Sequence, residues 1–265
     1  MRIRKKVLYL HHNGANLLKQ PKIWKNTLFL SLLAGLTFGM VSLTSCSSDD
    51  DNDSKKKVMN FQEASDVIDL SKLTDGYVYT IKDGSVLTGT VENKGIGLFL
   101  ADGATVTLDN ATIKGTDVDA YDWGGLQCLG NATIILKDGT TNYVRGFWSE
   151  YPGIYVPENH TVVIKGDGTL TACSNGNGAG IGCGGFRNEA GSSSTACKKI
   201  IIQNTVTSVS ATKVPGCVNS VGRSTKETKC GQIVIGGTMY WDSENYVNSG
   251  ENYLTKSTMV YEPEK

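Results

Sequence analysis

Between Gly97 and Ile164 the chain can be laid over itself in three successive segments without a gap. Gly97 to Leu108 lies over Gly125 to Leu136, and that lies over Gly153 to Ile164. A fixed step of this size, about 28 residues, signals stacked supersecondary units. Inside each unit the apolar positions alternate. Leu98, Leu100, Val106 and Leu108 answer to Leu126, Cys128, Ile134 and Leu136, and then to Ile154, Val156, Val162 and Ile164. Alternation at a period of two gives strands with one buried face. Turn residues separate the pairs: Asp102-Gly103, Gly130-Asn131 and Glu158-Asn159. Gly and Pro interrupt the pattern too often for a helix to run through it.

One such unit cannot close a core. Stacking pairs strand on strand in parallel, about 4.8 Å apart, with an apolar ladder inside. The expected fold is therefore all-β: a right-handed parallel β-helix, or β-solenoid, with coils of about 28 residues and irregular caps at both ends. Residues 97–239 form its repeats. Residues 58–96 form an N-terminal cap and first irregular coil, in which Val58 to Leu73 reads equally as a helix or as the start of a strand. Lys199-Ile200-Ile201-Ile202 and Gln232-Ile233-Val234-Ile235 continue the Thr161-Val162-Val163-Ile164 pattern after insertions, which map to loops. The alternation breaks near Tyr240, so 240–265 reads as the C-terminal cap.

The first 45 residues read as a targeting segment, not as part of the fold. Residues 1 to 25 carry seven Lys or Arg and no acid, and Thr27 to Ser45 is uncharged and mostly apolar. A transmembrane anchor is the competing reading of that uncharged stretch. The box Leu43-Thr44-Ser45-Cys46, followed by a polar tether over 46–57, resembles a bacterial lipoprotein signal. The resemblance implies cleavage before Cys46 and a lipid on that residue. The acidic run Asp49-Asp50-Asp51 beside it resembles the surface-export signal of Bacteroidetes lipoproteins, which implies an outer-membrane protein facing the cell exterior.

Removing the seven basic residues ahead of Cys46 leaves 19 basic against 26 acidic residues, a formal charge of −7. That balance argues against nucleic acid as a partner, which calls for a positive field. Six cysteines follow Cys46, an even count that permits disulfides outside the cytoplasm. Cys197 and Cys230 share a column in neighbouring units and form the first pair to test. Cys128 shares a column with Leu100 and Val156 and reads as a small buried apolar residue. His160 is the one histidine after Cys46, and no Cys-x-x-Cys occurs, so a zinc site is not expected.

Several runs together carry a wider likeness: Asp83 to Thr90, Gly103 to Leu108, Tyr151 to Pro157, Gly178 to Gly182 and Cys230 to Thr238. They resemble repeat-containing surface lipoproteins of Bacteroides and Prevotella, over nearly everything after about residue 66. Cys183 departs from the usual glycine run of that family. A broader likeness is to pectate-lyase-like β-helices and β-helical carbohydrate-binding domains. Neither supplies catalytic residues that map onto this chain.

Three constellations hold candidate chemistry. Trp123 and Tyr151 are one repeat step apart, and Tyr121, Phe147 and Trp148 lie in the same connecting segments. Flat rings along a rigid surface suit the apolar faces of sugars, and Asp119, Asp122 and Glu150 supply partners for hydroxyl groups. The competing reading is that the rings pack against one another and shield a corner. Asp117, Asp119 and Asp122 form an oxygen-rich loop suited to calcium, without a full calcium-loop pattern. Arg145 and Arg187 are the candidate bases for lyase chemistry. The Gly-rich stretch Gly176 to Gly185 lacks the Lys and helix of a phosphate loop. The reading favoured is a non-catalytic, surface-anchored binder of polysaccharide or host glycan. An adhesive protein that binds a surface protein is the second reading, and a polysaccharide lyase or glycoside hydrolase the third.

Overall fold

The computed structural model describes residues 60–63, 66–116, 123–147, 151–176, 178–184, 196–226, 228–243 and 253–264. They belong to one unit of the chain, Ser54–Lys265. Strands are numbered along the chain. Asn60–Glu63 (β1), Tyr77–Ile81 (β3), Gly97–Leu100 (β5), Leu126–Cys128 (β7), Ile154–Tyr155 (β10), Ile181–Gly182 (β13) and Val221–Gly222 (β16) form a seven-stranded sheet, in that order. Every pairing in it is parallel.

The second sheet has twelve strands. They are Val67–Asp69 (β2), Val86–Glu92 (β4), Thr105–Lys114 (β6), Ala132–Leu136 (β8), Thr141–Arg145 (β9), Thr161–Lys165 (β11), Thr169–Cys173 (β12), Ala196–Ile202 (β14), Ser208–Thr212 (β15), Lys229–Ile235 (β17), Thr238–Asp242 (β18) and Thr258–Tyr261 (β19). Its main path runs β18-β17-β14-β11-β8-β6-β9-β12-β15-β19, and β4 joins β6 to β2 beside that path. Pairing is parallel except at the two path ends, where β18 on β17 and β19 on β15 are antiparallel.

This second sheet curls, and β6 shows why. The first four residues of β6 pair with β8, and its last three pair with β9. The chain joins β8 to β9 through the short turn Lys137 to Thr140. At the break Asn110 takes a φ of +52°, a left-handed value that Asn tolerates better than most residues. The register with β4 also shifts at this level, between Thr88 and Gly89. Asn142 repairs the ladder there. Its Oδ1 accepts the Ala111 N–H at 2.9 Å, and its Nδ2 donates to Thr140 Oγ1 at 3.0 Å and to the Thr169 carbonyl at 3.1 Å.

The alternation in the sequence becomes the core. Leu98, Leu100, Leu126, Cys128, Ile154 and Val156 point inward from the parallel sheet or its strand ends, against Val106, Leu108, Ile134, Leu136, Val162 and Ile164. All lie in one buried cluster, so the two sheets close on a shared interior. The turns between them are tied by side chains of the Asp and Asn type. Asp83, Asp102 and Asn131 accept the N–H of Thr105, Asn131 and Thr161 at 2.7, 2.8 and 2.9 Å.

The expectation of a right-handed parallel β-helix with coils of about 28 residues and irregular caps is corrected. The domain is all-β, but its strands gather into a curled mixed sheet and a distinct parallel sheet, not into equivalent repeated coils. Partner residues lie 17 apart where Asn60 faces Tyr77, 28 apart where Phe99 faces Gln127, and 40 apart where Ile181 faces Val221. The gapless overlay also fails inside its own best region. Ile134 faces Ile164 instead of Val162, the residue that the overlay sets against it. The turn Val156 to His160 holds two residues more than its counterpart Leu129 to Asn131, and it absorbs the slip. Two residues is the strand period, so the buried face survives the change in register. The likeness to repeat-containing surface lipoproteins and to β-helical carbohydrate-binding domains implied a repetitive β-helix, and the curled sheet with its separate parallel sheet overturns it.

Other parts of the reading meet the structure directly. The segment before Leu73 that reads as helix or strand forms β1, β2 and a single 3-10 turn, Leu70–Lys72, whose Leu70 is fully buried. The quartets at Lys199 and Gln232 lie in register with each other, and the first with Thr161. Cys197 and Cys230 face each other across β14 and β17, with Cα atoms 4.6 Å apart, and a disulfide joins them. Near the C-terminus, Gly236 and Gly237 take φ values of +58° and +84°, as a two-residue hairpin of type I′ requires, and turn the chain from β17 into β18. Trp241 then caps the interior, donating from Nε1 to the Cys230 carbonyl at 2.8 Å. Among the described residues no helix is long and apolar enough to cross a membrane. The targeting segment over 1–45 and the lipidation residue Cys46 lie outside the described residues.

Candidate functional site

Alternation that sends Leu98 and Leu100 inward sends Phe99 outward. The same parity turns out Gln127 between Leu126 and Cys128, and Tyr155 between Ile154 and Val156. Register places Thr80, Phe99, Gln127 and Tyr155 in one row across β3, β5, β7 and β10. Neighbouring strands are about 4.8 Å apart, so Phe99 and Tyr155 are separated by roughly 10 Å with an amide between them.

Other rings widen this outer face. Trp123 meets Phe99 edge-on, with centroids 5.8 Å apart and planes at 79°. Its Nε1 donates to the Ile96 carbonyl at 2.8 Å, which fixes the orientation of the indole. Tyr151 lies 6.3 Å from Tyr155, ring centre to ring centre. Gly97 makes room for the arrangement: a Cβ there would stand 3.0 Å from Phe99 Cε1 and from the Val78 side chain. Gln127 Oε1 accepts the Gly124 N–H at 3.0 Å, which holds the amide plane and leaves the NH2 side of the group to other acceptors. Phe99, Trp123, Gln127 and Tyr155 all remain half-buried. Burial pushes the Tyr155 phenol up to about 12, so near neutral pH it is a hydroxyl that can donate a hydrogen bond.

The residues singled out from sequence are divided by the structure. Trp123 stands on this face. Tyr151 is only 5% exposed and supports Tyr155 from the side. Phe147 is fully buried, a member of the shared core, and its ring offers no face to a ligand. Tyr121, Trp148, Asp119, Asp122 and Glu150 lie outside the described residues, as does Asp117 of the calcium candidates. Among the described residues no group of three or more His, Cys, Asp or Glu is placed to hold a metal ion. Arg145 is engaged within the fold, donating from Nη2 to the Gly115 carbonyl at 2.7 Å, and Arg187 lies outside the described residues. Burial pushes the Cys128 thiol up to about 12.

Sequence reasoning missed Phe99, Gln127 and Tyr155, although the overlay contains them. They are one repeat step apart and occupy one column, the outward position between two inward apolar residues. Comparison of the chain with protein-family models, with curated proteins and with solved structures gives no match.

Proposed function

We propose that this chain binds a glycan on the outer face of its parallel sheet, without catalysing a reaction. The observation that carries this reading is a row of half-exposed rings on a rigid sheet, with a polar amide between them. Aromatic faces meet the C–H faces of sugar rings, and the Gln127 amide and Tyr155 hydroxyl meet sugar hydroxyls. Trp123 is held by its own hydrogen bond before any ligand arrives, so little ordering is lost on binding. Trp123 is retained here from the aromatic cluster read in the sequence, and Phe99 and Tyr155 take the place of Phe147 and Tyr151.

The test is a glycan array followed by titration calorimetry on the best binder. Phe99→Ala with Tyr155→Ala is expected to weaken binding at least tenfold while the thermal midpoint stays near wild type, because both side chains lie outside the core. Undiminished binding by the double variant overturns the site, and failure of the wild-type chain to retain any glycan overturns the function.

The reading also places the chain on the outer membrane, held through lipid on Cys46 and facing outward. Its support is the order of basic segment, apolar segment, Leu-Thr-Ser-Cys box and acidic tether. Cells grown with an alkyne-tagged fatty acid are expected to label the wild-type protein and not Cys46→Ala. Equal labelling of both would remove the anchor.

A further inference from the structure

Three sulfurs meet at the boundary between the two sheets. Cys183 follows β13, the strand beside the edge strand β16 of the parallel sheet, and its Sγ lies 3.9 Å from Cys197 Sγ. Cys197 is in turn bonded to Cys230. Cys183, Cys197 and Cys230 are each 2% exposed or less, which shields them from bulky thiol reagents in solvent. The Cys183 thiol also lies 3.3 Å from the Gly222 carbonyl and 3.6 Å from the Lys229 carbonyl, which hold it beside the disulfide. Two further thiols are directed elsewhere. Cys217 points to the Asn219 carbonyl at 3.2 Å, and Cys173 meets the Tyr143 hydroxyl at 3.2 Å.

We propose that Cys183 is an internal thiol nucleophile that exchanges with the Cys197–Cys230 disulfide, giving the fold two alternative covalent closures. The Cys183 thiol gives up its proton to hydroxide, and its Sγ attacks Cys197 Sγ. A Cys183–Cys197 bond forms as the Cys197–Cys230 bond breaks. The electron pair leaves on Cys230 Sγ, which takes up a proton. One disulfide and one thiol enter, one disulfide and one thiol leave, and no outside oxidant or reductant takes part.

The two closures tie different parts together. In the first, the bond staples β14 to β17, neighbours in the curled sheet. In the second, it links the parallel sheet, just after β13, to β14. It also frees β17, the strand on which the C-terminal hairpin is built. Attack requires the thiolate. Burial pushes the Cys183 thiol up to about 12, so exchange is slow near neutrality and quickens as pH rises.

Disulfide mapping of the full chain tests this. The protein is held at a series of rising pH values without added thiol, quenched in acid, alkylated, digested and read by mass spectrometry. Arg187 and Lys198 let trypsin separate the three cysteines. The expected result is a Cys183–Cys197 cross-linked peptide and alkylated Cys230, both increasing with pH, and neither present in Cys183→Ser. A second measurement uses Cys230→Ser exposed to dissolved oxygen, which is expected to close Cys183 onto Cys197. The proposal is overturned if Cys230 stays protected at every pH, if the new linkage is Cys183–Cys230, or if Cys230→Ser leaves both Cys183 and Cys197 open to alkylation.

Discussion

Replacing Phe147 with Ala is expected to destabilise the fold by about 3–5 kcal/mol, as large-to-small changes at fully buried aromatic positions do. The ring is wholly enclosed in the core shared by the two sheets. Its backbone N–H reaches across to the Trp123 carbonyl at 3.3 Å, so the residue ties the exit of β9 to the entry of β7. The loss combines the transfer of a large apolar side chain with the cavity left behind. Urea unfolding checks this through a lowered midpoint at unchanged slope. Glycan affinity per folded molecule is expected to stay at the wild-type value, in contrast to the Phe99 and Tyr155 double variant. A stability loss below about 1 kcal/mol would move the ring out of the core, since surface changes rarely exceed that size.

Asn142→Ala is expected to cost about 3 kcal/mol. This residue is fully buried, and its amide makes three hydrogen bonds at the curl of the sheet. The variant leaves the Ala111 N–H without its buried acceptor and takes one donor from the part-buried Thr169 carbonyl. A buried polar group without a partner costs about 1–3 kcal/mol. The strand pairing on either side of Asn110 depends on the same amide. Hydrogen exchange of Ala111 and Thr141 is therefore expected to quicken more than that of Ile134 or Ile200. Uniform acceleration across all four amides would show a global loss without a local weakness at the curl.

The core of this domain is readable from spacing alone, because inward strand positions must be apolar whatever the order of the strands. The quartets at Thr161, Lys199 and Gln232 are readable for the same reason. The register between β8 and β11 is not. A two-residue lengthening of the turn Val156 to His160 keeps every apolar side chain on its proper face, so hydrophobic pattern cannot detect it. The division into two unlike sheets is also hidden. The curl of the larger sheet is hidden as well: it turns at one left-handed Asn and one buried amide, and neither disturbs the alternation. The outer face is obscured in the sequence by the aromatics of the connecting segments. Phe147 shows why those are poor guides: a large ring beside a strand end finds the interior when there is room for it. The outward column of Phe99, Gln127 and Tyr155 carries the stronger signal, since strand parity alone decides which way such residues face.

The reversal of direction at β18 and β19 has a consequence for how these molecules meet one another. A row of parallel strands ends in an unpaired edge that can receive the next strand, and the next, without limit. Here the last strand on each side of the curled sheet runs the opposite way. A strand added there in the prevailing direction lies antiparallel to the edge it meets, so the parallel array stops at β18 and at β19.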